Sequence, residues 1–173
     1  MSTFYRAYKQ DDQNSLTYRE AWIDAEAEEF VVHHGKVGHL GETGEQRFGS
    51  EEEGAELLEI FIQQCTVDGY TDVNELQLGE VKASWKLKTT AGTQRDHSFA
   101  IKIRRTLSAH LGWRGLGEII DPQNPIIGDG ELVYRIATPA PRRAIESIKA
   151  AAREFKLDPT KLTCTLEKKA ELT

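Results

Sequence analysis

Apolar and polar positions alternate in short runs through the first part of the chain, and the alternation predicts strands. Residues 3–8 carry Phe4, Tyr5 and Tyr8 and leave through Asp11-Asp12-Gln13-Asn14-Ser15, a run with turn chemistry. Residues 17–24 alternate Tyr18 and Trp22 with polar neighbours, and residues 29–36 bring Phe30, Val31 and Val32 into a third β-rich run. Gly38, Gly41 and Gly44 then mark a loop with positions suited to positive φ, before a last short strand at 45–48. There the period changes. Ser50 is a good helix N-cap, and Glu51, Glu52 and Glu53 complement the positive end of the helix dipole. Leu57, Leu58, Phe61 and Ile62 recur at helical spacing, and Gly69-Tyr70 closes the block.

A second pattern begins after a connector over residues 71–80. Val81, Ala83, Trp85 and Leu87 alternate with Lys82, Ser84, Lys86 and Lys88, a half-buried strand with a basic outer face. Residues 96–111 place Phe99, Ile103, Leu107 and Leu111 on one helical stripe, broken by Gly112-Trp113-Arg114-Gly115. A short strand over 117–121, a Pro- and Gly-bearing loop over 122–130 and a strand over 131–138 follow. Pro141 suits the first turn of a helix with the stripe Ile145, Ile148, Ala152 and Phe155, and residues 161–168 alternate Leu162, Cys164 and Leu166. The order β-α-β-β-α-β predicts a ferredoxin-like domain. The fold class is therefore α+β, divided into a small domain at 1–73, a linker at 74–80 and the ferredoxin-like domain at 81–173.

The segment Phe30-Val31-Val32-His33-His34-Gly35-Lys36-Val37-Gly38 is the most distinctive in the chain. With Thr3-Phe4-Tyr5-Arg6-Ala7-Tyr8 before it, and Gly41, Phe48, Glu51–Glu53 and Gly69-Tyr70 after it, it resembles a WGR domain. The resemblance spans about residues 3–73 and implies a small antiparallel sheet closed by one helix. It also implies nucleic-acid binding, since in poly(ADP-ribose) polymerases the Trp and Arg of the name-giving triplet engage a broken DNA end. Here His34, Gly35 and Lys36 stand at those positions. One flat ring and one charge are kept, but the large stacking surface and the bidentate guanidinium fork are gone.

Charge is distributed unevenly. The chain of 173 residues carries a net −6, yet residues 1–73 hold five Lys/Arg against sixteen Asp/Glu, a net −11, while residues 74–173 come to +5. Affinity for nucleic acid rests largely on phosphate neutralisation, so the first domain would repel a duplex unless its few basic residues were clustered. The N-terminus has no basic region leading into an apolar one, so no signal peptide is expected. No apolar run reaches the length of a membrane span. Cys65 and Cys164 lie far apart without metal spacing, as expected of thiols in a reducing compartment. A cytoplasmic protein is the expectation.

Catalytic chemistry finds no foothold. Neither G-x-S-x-G nor H-E-x-x-H occurs, and no G-x-x-G spacing opens a strand–loop–helix phosphate site. Gly128-Asp129-Gly130 reads as a hairpin turn. His33 and His34 point to opposite faces of a strand, so no metal is expected there, and no cofactor is indicated. The sequence points to a non-catalytic binding protein. Its leading partner surface is the acidic first domain, through His34, Lys36, Glu42, Glu51 and Glu52. Trp113 and Arg114 at a glycine-flanked loop add a composition favoured at interface hot spots. The expected partner is a basic protein, in the manner of an immunity or antitoxin inhibitor of a nucleic-acid-acting enzyme, because a negative surface imitates the substrate and speeds encounter. The alternative is nucleic-acid binding through Lys36, Arg47, Lys82, Lys86 and Arg135, the last three set on a basic sheet face with Lys88 and Lys161. Small-molecule sensing has no supporting residue beyond the 122–130 loop.

Overall fold

A computed structural model describes residues 3–120 and 126–171. The chain is mixed α/β, with two antiparallel sheets and three α-helices among the described residues, and it divides into two compact units, Met1–Leu76 and Gln77–Thr173.

In the first unit β1 (Phe4–Gln10), β2 (Leu16–Asp24), β3 (Glu29–Lys36) and β4 (Glu42–Arg47) form an antiparallel meander, and β5 (Thr71–Asp72) adds to the free side of β1. The strand order is β4-β3-β2-β1-β5. One face is covered by α1 (Glu51–Val67), and the core between them is Tyr5, Ala7, Ala21, Phe30, Phe48, Leu58 and Cys65. Side chains the size of Leu58 or Phe30 each contribute about 1.5–3 kcal/mol when removed from water. Ser50 caps α1 through its hydroxyl, which accepts from Glu53 N, and Glu53 reaches back to accept from Gly49 N at 2.7 Å. Two initial backbone donors are thereby satisfied.

Strand β4 begins earlier than the glycine pattern predicts. Gly44 stands opposite Val32 in the β3–β4 ladder, so it is a strand residue, and of the three glycines expected to mark the loop only Gly38 has positive φ, at 93°. The stretch expected as a connector holds β5, a 3-10 turn at Val73–Glu75 and the start of the next strand.

The second unit places β6 (Gly79–Lys86) at the centre of a sheet ordered β10-β6-β9-β7, with β7 (Glu118–Ile120) and β8 (Ile126–Gly128) both paired to β9 (Glu131–Thr138) and β10 (Leu162–Lys168) on the other side of β6. Helices α2 (Gln94–Gly112) and α3 (Pro141–Glu154) pack on one face. That face buries Val81, Ala83, Trp85, Leu132, Tyr134 and Ile136 against Ile103, Leu107, Leu111 and Ile148. Asp129 (φ 51°) and Gly130 (φ 77°) make the β8–β9 connection a hairpin turn, the conformation that Asp-Gly favours. Of the loop expected over 122–130, residues 121–125 lie outside the described residues and Ile126–Gly128 is paired strand. Among the described residues no helix is long and apolar enough to cross a membrane.

Candidate functional site

Helix α1 presents the most strongly charged face of the first unit. Glu52, Glu56, Glu59, Ile60, Gln63 and Val67 recur at three- and four-residue spacing on the side opposite the buried Gly54, Leu58 and Cys65. Glu51, Glu52, Glu53, Glu56 and Glu59 are all exposed, and among the described residues none joins an ion pair. Two apolar side chains stand among them, Ile60 at 55% and Val67 at 80% exposure. A fixed, rod-like row of carboxylates with apolar anchors is suited to a partner that is basic and partly apolar. It offers nothing to a phosphate backbone.

The candidates His34, Lys36 and Glu42 are brought together, but in company that changes their reading. His34 lies opposite Arg19 on β2 and Glu42 on β4, while Lys36 lies opposite Thr17, which is itself opposite Lys9 on β1. Opposed residues share a face. Since Ala7 and Ala21 of the same strands pack under α1, Lys9, Arg19, His34 and Lys36 all gather on the α1 side of the sheet. Two of these cations are already engaged. Lys9 Nζ donates to the Asp68 carbonyl at 2.7 Å, and Arg19 pairs with the Asp68 carboxylate while lying 4.5 Å over the Tyr70 ring. Asp68 is the C-cap of α1, whose last turn has no basic residue of its own, so the strands supply the positive charge that this end of the dipole favours. The Arg19 guanidinium, then Gln64, holds the Asp68 carboxyl below the usual range. Lys36 is the Lys or Arg of this unit without such a partner among the described residues.

Arg47 is not part of that group. It stands opposite Glu29 at the other end of β3 from Lys36 and on the other face, with its guanidinium 3.7 Å from the Glu29 carboxylate. Lys82 and Arg135 do oppose one another on the face of the second sheet away from the helices, but Lys82 is 3.5 Å from Glu131 and Arg135 2.6 Å from Glu80. Lys86 is opposite Glu131. The sheet face expected to be basic is charge-balanced, because its acidic residues come from the neighbouring strand. Trp113 is the C-cap of α2 and is 45% exposed, and Arg114 folds back to donate to the His110 carbonyl at 3.2 Å. The guanidinium thus closes the helix end instead of standing at a loop tip.

A buried polar chain escaped the sequence reading. Arg6 Nε donates to Glu20 Oε2 at 2.6 Å, His33 Nδ1 is 2.7 Å from Glu20 Oε1, and His33 Nε2 is 3.0 Å from the Tyr18 hydroxyl. With a neutral imidazole, the Nδ1 proton faces the carboxylate and Nε2 accepts from Tyr18. All four side chains are buried. Gly41 closes over the end of this chain: a Cβ there would fall 2.2 Å from Tyr18 Oη and 2.5 Å from His33 Nε2. The network ties β1, β2 and β3 together and seats the β3–β4 loop directly beside His34-Gly35-Lys36. In the sequence Arg6, Glu20 and His33 occupy the polar positions of alternating strands, which read as outward-facing; only their mutual pairing distinguishes them.

Among the described residues no group of three or more His, Cys, Asp or Glu side chains could hold a metal ion. No protein-family model, curated protein or solved structure matches this chain.

Proposed function

We propose that this chain is a non-catalytic binding protein whose first unit engages a basic protein through the outer face of α1. The observation that carries this reading is the row Glu52, Glu56 and Glu59, without cationic partners among the described residues and interleaved with the exposed Ile60 and Val67. Glu51 at the head of the helix and Glu42 on the adjoining sheet extend the negative field, which accelerates encounter with a positive partner. A basic protein that itself handles nucleic acid fits this surface, and inhibition by imitation of its substrate is the corresponding activity. The meander under one helix supports a WGR-like reading of the first unit, and the strand order of the second supports a ferredoxin-like one.

The nucleic-acid alternative is favoured by one observation, the cross-strand row Lys9–Thr17–Lys36. Lys9 and Arg19 are committed to the end of α1, which leaves Lys36 and His34 of the first unit to meet a phosphate, too few for that unit to hold a duplex at physiological salt.

The test is a triple charge reversal, Glu52→Lys, Glu56→Lys and Glu59→Lys, in a protein whose circular dichroism is unchanged. Partners captured from source-cell extract by the native protein should be basic and should lose about a hundredfold in affinity for the variant. Equal capture by both forms, or micromolar binding of native protein to labelled DNA or RNA at about 0.15 M salt, would sink the proposal.

A further inference from the structure

The second unit contains a cavity of about 410 Å³ between the end of β6, the start of α2 and the α3–β10 connection. That size falls within the roughly 300–1,000 Å³ range of small-ligand sites. Its lining brings together Lys86, Lys88, Arg95, Lys156 and Lys161, from three separate stretches of the chain, around Phe99 and Trp85. Only two carboxylates stand among these five cations, and both are occupied. Asp96 accepts from Thr93 N and Thr93 Oγ1, each at 2.7 Å, in the capping box of α2. Asp158 accepts from Thr160 N and Oγ1 and lies 3.5 Å from Lys161. Lys86, Lys88, Arg95 and Lys156 join no ion pair among the described residues. Mutual repulsion among cations held at one concavity is relieved by an anion that displaces water between them.

Two features separate this place from an ordinary solvated basic surface. Its wall includes Trp85, only 1% exposed, whose indole Nε1–H has no hydrogen-bond acceptor among the described residues. An unsatisfied buried donor costs about 1–3 kcal/mol, and it leaves the structure behind this wall short of one acceptor. The positive end of α2, a helix of nineteen residues, adds to the field at the same wall.

We infer that this cavity binds a small molecule bearing a di- or triphosphate group, with the lysines and Arg95 on its oxygens and Phe99 along its apolar part. The volume admits one compact polyanion; a nucleic-acid strand would have to cross it and find further cations outside. The site is independent of the acidic face of α1.

Inorganic tripolyphosphate is the probe, titrated calorimetrically into the full chain at about 0.1 M salt, where the Debye length is about 10 Å. A dissociation constant below about 100 μM is expected, with a shift of the Trp85 indole N–H resonance. Lys88→Gln together with Lys161→Gln should weaken binding at least tenfold, while Lys102→Gln with Arg105→Gln, an equal loss of charge on the exposed side of α2, should leave it within twofold. Equal weakening by both pairs would reduce the effect to bulk charge and overturn the assignment, as would absence of binding at millimolar tripolyphosphate. A single-stranded oligonucleotide that binds more tightly than tripolyphosphate and suffers the same loss would also overturn it, in favour of a nucleic-acid strand.

Discussion

Gly41 and Gly44 lie three residues apart and carry different constraints. A methyl group at Gly41 would run into Tyr18 Oη, His33 Nε2 and the His34 carbonyl, whereas one at Gly44 meets nothing within 4 Å. Neither glycine has positive φ, so contact alone separates them. Gly41→Ala is expected to cost about 1–3 kcal/mol by overpacking, read as a lower urea midpoint. Gly44→Ala should be neutral or slightly stabilising, since a glycine within a strand gives up about 0.5–1 kcal/mol relative to alanine. Equal effects at the two positions would mean that the Tyr18–His33–Glu20–Arg6 chain does not hold the β3–β4 loop in place.

Packing between elements adds a pH dependence in the second unit. Helices α2 and α3 meet through His110, whose Nδ1 is 2.8 Å from Ser147 Oγ and whose Nε2 is 3.6 Å from Glu154. Burial, and then the charge of Arg114, push His110 below its ordinary value against the opposing pull of Glu154. The folded state therefore prefers the neutral ring. Its contribution to stability is complete above the unfolded value, about 6.5, and is lost as pH falls below that toward the folded value. The denaturant midpoint of the native protein should decline on acidification from about pH 7 to 5, and His110→Gln should flatten that decline. An unchanged slope would place the titrating group elsewhere.

Elements whose signals are local were legible in the sequence. Ser50 with Glu53 sets the start of α1, Pro141 that of α3, and the alternation Leu132, Tyr134, Ile136 gives β9 with its inner face. Strand β4 was foreshortened because its glycine imitates a loop, and α2 starts earlier than its apolar stripe because the Thr93–Asp96 box caps it upstream. The acidic side of α1 could be read for the same reason as the helix itself: Glu52, Glu56 and Glu59 are one turn apart. What eluded the sequence depends on register. Lys9 meets Thr17 and Lys36 only through two ladders, the charges opposing Lys82 and Arg135 come from neighbouring strands, and the cations of the cavity arrive from β6, α2 and the approach to β10.

Across the molecule each unit carries one thiol. Cys65 is fully buried on the inner side of α1, and burial pushes it up; Cys164 faces inward on β10, and burial raises it to about 11. At pH 8 only about a thousandth of Cys164 would be thiolate, so alkylation of both should be slow in the native protein and complete in denaturant. Mapping which thiol labels first as denaturant rises then reports the opening of each unit separately. Rapid labelling of either in buffer would show that its unit is open already.

The strand order β4-β3-β2-β1-β5 leaves β4 with one unpaired edge, and all six of its residues are exposed. An uncovered edge is a template for another copy of itself. Glu42, Glu45 and Arg47 on this short strand keep copies apart, and at 1 M salt such charges act over only about 3 Å. Concentrated protein in high salt is thus the condition in which sheet-to-sheet joining through β4 is expected first.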